Sequence, residues 1–143
     1  MKALQLVLAL GSLAAAGVLA LSCGSSAPVQ HQLQSITLSP ASADAENYAN
    51  GQVQFVATGH FSTAPMTVSP LTANWGACYQ FAATSAVWVT SAGLAQCARG
   101  AAGTYTVWAN QPADLPPGVY NCTAETACGG GCTVQGSAQL TCP

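Results

Sequence analysis

The chain has 143 residues, which is one domain's worth, and half of its residues are hydrophobic whereas only 4% are charged. Its two cations and four carboxylates give a formal net charge of −2. Nucleic acid is bound by clustered Lys and Arg that release counterions, so this composition argues against nucleic acid as a partner. The same lack of cations argues against electrostatic docking on anionic lipid.

The N-terminal segment has the pattern of an export signal. Met1-Lys2 is a short cationic start, residues 3–21 are almost wholly apolar, and the small residue Ser22 precedes Cys23. The cysteine at the cut site resembles the lipobox of bacterial lipoproteins. This resemblance implies a signal peptide over residues 1–22 and lipidation of Cys23, which then anchors the protein in a membrane. Gly24 favours, by the same resemblance, the outer membrane or the cell surface.

Two other interpretations of this segment stay open. The apolar stretch is long enough to remain uncut as a membrane-spanning anchor, or it is an ordinary secretory signal that ends close to Cys23. The cysteine count favours lipidation. Seven cysteines are present, and setting Cys23 aside leaves an even set that suits three disulfides in an oxidising compartment: Cys78, Cys97, Cys122, Cys128, Cys132 and Cys142.

Residues 23–34 lack an apolar period and predict a flexible tether, with His31 as a solvated linker residue. From residue 35 to residue 143 the pattern becomes that of short strands with apolar residues at every second position, separated by turn residues. The predicted strands cover residues 35–40, 52–58, 72–75, 86–89, 94–98, 104–110 and 133–142. Several short strands at this spacing predict an all-β antiparallel sandwich.

The order of these segments is similar to that of bacterial Ig-like domains of group 2. The similarity rests on the opening strand at 35–40, the Asn50-Gly51 turn, Trp75 in a third strand, the strand pair at 87–95, and the last two strands at 102–107 and 136–141. The resemblance implies an Ig-like sandwich. In place of an inter-sheet disulfide the chain has Phe55 and Val107, so we expect a core closed by packing, with Trp75 buried. Tyr105 stands at the position of a tyrosine corner.

Two insertions depart from that family pattern and hold most of the cysteines. One lies after Trp75, at about residues 78–84, and the other spans residues 111–132 where a short hairpin is expected. Long loops in compact domains are usually functional or need fastening. We therefore predict a contact loop in the second insertion with Leu115, Val119 and Tyr120 as its apolar residues, and with Trp108 facing outward near its base.

The pairing of six cysteines has 15 solutions and does not follow from spacing. Our preferred prediction joins Cys78 to Cys97, Cys122 to Cys142 and Cys128 to Cys132. A zinc site is disfavoured because no C-x2-C knuckle occurs. We expect no metal and no cofactor.

Catalytic signatures are weak throughout the chain. No Gly-x-Ser-x-Gly elbow occurs, and His60 is the one histidine of the predicted folded part. Of the carboxylates, Asp44 and Glu46 lie together in a predicted turn, so they do not suit paired acid–base chemistry. We therefore expect a protein that is not an enzyme.

These features, with the family resemblance, predict a membrane-anchored domain with an adhesion or scaffolding role in the cell envelope, toward an envelope protein or glycan. One alternative is a carbohydrate-binding module, which requires both Trp88 and Trp108 to face solvent. Another is a purely structural spacer, for which replacement of the insertion by a short hairpin changes no phenotype.

Overall fold

The structure is a computed structural model that describes residues 31–110, 122–132 and 134–143. Within these ranges the chain is mostly strand, with one short α-helix, α1 (Ala124–Cys128), and two 3-10 turns, Ala45–Asn47 and Ala49–Gly51. No helix in this part of the chain is both long and apolar enough to cross a membrane. The strands are β1 (Leu33–Ser39), β2 (Ser42–Asp44), β3 (Gln52–Gln54), β4 (Val56–Phe61), β5 (Thr67–Val68), β6 (Asn74–Tyr79), β7 (Ala82–Ala83), β8 (Val87–Val89), β9 (Leu94–Cys97), β10 (Gly103–Asn110) and β11 (Gln135–Cys142).

The strands form three sheets. One has the order β1-β4-β5, a second has the order β3-β9-β8, and the third has the order β2-β11-β10-β6-β7. All neighbours are antiparallel except β2 and β11, which run parallel. Because only Phe55 separates β3 from β4, one nearly continuous stretch of chain pairs with β9 through its first half and with β1 through its second half.

One hydrophobic core lies between the inward faces of these sheets. Alternate residues of a strand point to opposite faces, and the predicted period of two identifies the buried face correctly. Val53, Phe55 and Ala57 are buried, as are Val107 and Leu140 from the five-stranded sheet. Trp75 is only partly buried and packs against the edge of this core. A Cβ at position 93 would lie 2.8 Å from the Trp75 ring, which is too close. Gly93 also has a positive φ of +80°, so this turn requires a glycine.

The predicted insertion after Trp75 is wrong in its extent. β6 continues through Tyr79, pairs with β10 as far as Cys78, and then turns back through Gln80-Phe81 into β7. Cys78 is therefore a buried strand residue and not a loop residue. Sequence alone missed the continuation because Gly76 and Ala77 carry little strand propensity, whereas pairing with β10 stabilises them as strand.

The packed domain begins before residue 35. The ring of His31 stacks on Phe61 with 4.3 Å between centroids and an interplanar angle of 5°, and its Nδ1 is 3.0 Å from the Thr63 hydroxyl. Leu33 is already paired with Phe61 in the β1–β4 ladder. His31 is exposed, as expected of a linker residue, but it is held against the domain and not simply solvated.

Three disulfides are present among the residues that the structure describes, and the predicted pairing is wrong for all six cysteines. The bonds are Cys78–Cys128, Cys97–Cys142 and Cys122–Cys132. The second joins the end of β9 to the end of β11, so it links the inward faces of two different sheets. The prediction paired cysteines by closeness in sequence, whereas the fold brings together residues that are 50 and 45 positions apart.

Candidate functional site

The second insertion carries α1, which is fastened to the outer face of the five-stranded sheet. Thr123 is the N-cap of the helix, and its side-chain oxygen accepts a hydrogen bond from the backbone N–H of Thr126 at 3.2 Å. Its last residue, Cys128, is bonded to Cys78 in β6. The helix also contacts β7. A five-residue helix is marginal by itself, so the disulfide and its packing hold it in position.

Trp108 lies beneath this helix and forms a second, smaller core. It belongs to the outer face of β10, opposite to Val107 and Ala109, so the predicted direction is correct. It does not face solvent, as the carbohydrate-binding alternative requires, because only 4% of its surface is exposed. It packs with the Cys78–Cys128 bond and with Ala127. The insertion therefore covers an aromatic residue that would otherwise lie open on the sheet.

The polar residues next to Trp108 connect the insertion to the sheet. Asn110 is 1% exposed, and its Nδ2 donates to the Cys122 sulfur at 2.9 Å. Its cross-strand neighbour Gln135 donates from Nε2 to the Ala127 carbonyl at 3.1 Å. Both amides therefore direct their donors toward the insertion. Partly buried hydrogen bonds of this kind orient the covering segment more than they add to net stability.

The hairpin between β6 and β7 presents exposed aromatic residues beside α1. Gln80 and Phe81 occupy its two-residue turn with positive φ angles of 48° and 69°. Phe81 is 86% exposed and Tyr79 is 44% exposed. A positive φ is rare for a bulky side chain, and backbone strain of this kind tends to persist at functional positions. This aromatic tip, Tyr79 to Phe81, is a contact candidate that the sequence analysis missed.

The predicted contact residues Leu115, Val119 and Tyr120 lie outside the described residues, as does the predicted lipidation site Cys23. The contact loop and the lipidation site therefore stay predictions. The described residues on either side of this part of the insertion, Asn110 and Cys122, are in direct contact.

His60 serves as a contact between two strands. His60 lies on β4, and its Nε2 is 3.3 Å from the Thr37 hydroxyl on β1. Asp44, one of the candidate carboxylates, accepts from the Glu46 backbone N–H at 3.1 Å and so begins a 3-10 turn, as predicted for this segment. Across the described ranges, no three His, Cys, Asp or Glu side chains gather in a way that could hold a metal ion.

The outer face of the β3-β9-β8 sheet carries one exposed indole and two amides in a single row. Trp88 on β8 pairs with Gln96 on β9, and Gln96 pairs with Gln52 on β3. Trp88 is 52% exposed, and the Gln52 Nε2 donates to the Gln96 Oε1 at 3.2 Å. We call these three residues the Trp88 row. Period-two alternation already implies that Gln52 and Gln96 face outward, but only the register puts them beside Trp88.

A surface cavity of about 560 Å³ lies at the end of β3 and β9 where Gly51 precedes Gln52 and Cys97 follows Gln96, and both of these neighbours line it. Its polar lining comes from Tyr48, Asn50 and Arg99, with Glu46. Cavities of this size suit small ligands or one end of a longer ligand.

Two comparisons with known proteins found no match. No family model matches the chain, and no curated protein matches it. The resemblance to bacterial Ig-like domains of group 2 and to lipoproteins therefore rests on the sequence motifs alone.

Proposed function

We propose that this protein is a lipid-anchored, Ig-like domain that acts by contact, in adhesion or scaffolding in the cell envelope, and that it does no chemistry. Lipidation of Cys23 holds it at the membrane, and residues 24–30 connect the lipid to the domain. The partner is an envelope protein or a glycan.

The strand order supports the Ig-like part of this proposal. The order β1, then β3 and β4 together, then β9 and β8 corresponds to strands A, B, E and D of an Ig sandwich. The order β11-β10-β6 corresponds to strands G, F and C, with β2 and β7 as additional edge strands. Tyr105 supports it further, because its hydroxyl donates to the Ala102 carbonyl at 3.2 Å, as a tyrosine corner does.

The observation that carries the contact function is the position of the aromatic tip beside the stapled helix. The Cys78–Cys128 disulfide ties α1 to β6, and Cys122–Cys132 closes the segment that carries α1. The helix contacts both β6 and β7, the two strands that flank Phe81. A rigid, exposed aromatic loses little conformational freedom on binding, which is why such residues dominate interface energetics. The predicted contact loop at Leu115, Val119 and Tyr120 belongs to the same insertion.

The exposed platform of two tryptophans that the carbohydrate-binding alternative requires is not formed. Trp108 is buried under α1, so Trp88 is the exposed tryptophan of the pair. A spacer without a ligand explains the disulfides but gives no reason for a strained, 86% exposed Phe81.

Site-specific photo-cross-linking in intact cells tests the proposal. A benzoylphenylalanine at position 81 is expected to give discrete adducts with an envelope component. The same group at Met66, which is 60% exposed on the β4–β5 connection, is the matched control and is expected to give none. Equal adducts from both positions, or none from position 81, would contradict a contact role for the aromatic tip and favour the spacer.

A further inference from the structure

We propose that the Trp88 row is a binding site for a neutral oligosaccharide, with Trp88 as the stacking platform and the paired amides of Gln96 and Gln52 as its hydrogen-bonding end. The inference rests on the proposed contact function, because it assumes that the domain binds and does not react. It assigns the ligand class to a different face from the aromatic tip.

The register puts all three side chains on one face. Val87, Val53 and Ala95, which adjoin the three residues in sequence, are buried at 2%, 0% and 0% exposure. Since successive side chains of a strand alternate between faces, Trp88, Gln96 and Gln52 point away from the core. Three neighbouring strands span about 10 Å from the first to the third, which is close to the length of a disaccharide.

The indole supplies a flat apolar surface that is otherwise uncovered. Large aromatic side chains bury much area when they bind, and an exposed tryptophan on a sheet face is uncommon. The C–H face of a pyranose ring is apolar and matches such a surface. When the pyranose ring stacks on Trp88, apolar surface of both the sugar and the indole is removed from water, and no charge is buried.

The two amides are already oriented by each other. The Gln52 Nε2 donates to the Gln96 Oε1, so the Gln96 NH₂ group and the Gln52 Oε1 remain for other partners. The pair thus offers donors and an acceptor side by side. Adjacent hydroxyls of a sugar each donate and accept, so they match this arrangement. Pre-orientation lowers the entropy that binding would otherwise cost.

The charges of the surroundings favour a neutral ligand. β3, β8 and β9 carry no charged residue. Arg99 and Glu46 are the charged residues of the adjacent cavity, and they carry opposite signs. A proline-rich peptide is the less suitable occupant, because its docking uses a groove lined by several aromatic residues and this sheet face exposes one.

The test is a titration of the full-length, disulfide-bonded protein in a zwitterionic detergent without a sugar headgroup. The probes are cellohexaose, maltohexaose, xylohexaose, mannohexaose and chitohexaose, with decaproline as the peptide probe. Tryptophan fluorescence with iodide as a quencher reports on Trp88, because Trp108 is buried and Trp75 is partly buried.

At least one hexasaccharide is expected to bind, uncleaved, and to protect Trp88 from iodide. Trp88→Ala should weaken that binding about ten-fold or more, as expected for an aromatic anchor. The double variant Gln52→Ala with Gln96→Ala should weaken it while Trp88 stays quenchable, and Met66→Ala should leave it unchanged. The proposal is overturned if no hexasaccharide binds, if Trp88→Ala binds as the wild type does, or if decaproline alone protects Trp88. Cleavage of a bound sugar would instead overturn the non-catalytic proposal and leave the site standing.

Discussion

The indole of Trp108 lies directly against the backbone of Gly76 on the neighbouring strand, so closely that a Cβ at Gly76 would overlap its Cζ2 and Cε2 atoms. This contact brings Trp108 flat against the sheet and leaves room above it for α1 and the Cys78–Cys128 bond. A glycine in mid-strand is normally unfavourable. Here the missing side chain at Gly76 lets the Trp108 ring lie close to the sheet, so that α1 can pack over it.

Gly76→Ala should therefore destabilise the protein by about 1–3 kcal/mol through overpacking, and it should displace Trp108 toward solvent. Urea unfolding measures the loss, and a shift of tryptophan emission to longer wavelength reports the displacement. Gly129→Ala is the matched control, because its Cβ would meet the Glu125 carbonyl oxygen at 3.4 Å, an ordinary contact. Its free energy of unfolding should stay within about 0.5 kcal/mol of the wild type. Equal effects of the two variants would contradict this account of Trp108.

Removal of the Cys78–Cys128 bond should cost more than removal of the Cys122–Cys132 bond. The first joins residues 50 positions apart and the second joins residues 10 positions apart. In the chain-entropy model these spans correspond to about 4 and about 3 kcal/mol of stabilisation.

The comparison uses double Cys→Ala variants of each pair, unfolded in urea. Loss of the longer-span bond should also expose Trp108, because α1 is then no longer tied to β6. The reverse order of stabilities, or an unchanged Trp108 emission after loss of Cys78–Cys128, would contradict the assigned role of that bond.

Replacement of the turn Gln80-Phe81 by Asn-Gly should stabilise the protein by about 1–2 kcal/mol. Both residues have positive φ, which Asn and Gly adopt at low cost in a two-residue hairpin. The melting temperature should rise, while cross-linking from the aromatic tip should be lost with Phe81. A gain in stability together with a loss of binding is expected where a strained turn is retained because it contacts a partner. A lower melting temperature would show that Phe81 stabilises the fold.

Tyr105→Phe should destabilise the protein by about 1 kcal/mol, because the hydroxyl loses its hydrogen bond to the Ala102 carbonyl. The ring remains and keeps its contact with Tyr79, whose centroid is 5.2 Å away. Tyr48→Phe serves as the control, since Tyr48 is 40% exposed and should respond little. If both substitutions have the same effect on the free energy of unfolding, the hydrogen bond contributes nothing measurable.

Local patterns in the sequence predicted the strands that form the core, but not the short edge strands β2, β5 and β7. Alternation identified Val53, Phe55 and Ala57 as core residues, and the Gly93 turn between β8 and β9 was expected. These features depend on near neighbours in the chain, which is what a period of two records. The even cysteine count likewise predicted three disulfides.

Features that depend on which faces meet were not predictable in this way. The pairing of Cys97 with Cys142 requires the ends of β9 and β11 to coincide, and no local signal encodes that. Burial of Trp108 depends on a helix of five residues, too short to produce a helical period. The Trp88 row was not predictable either, because its three residues come from different strands and only the register brings them together.

The central claim is a disulfide-stapled domain held on a membrane by lipid, and the intact mass of the protein from its native membrane fraction tests it most directly. The protein is alkylated with and without prior reduction. The account predicts a mass that begins at Cys23 with added acyl chains, and six alkylated thiols that appear only after reduction. A lipid-free mass, or thiols that react before reduction, would contradict it.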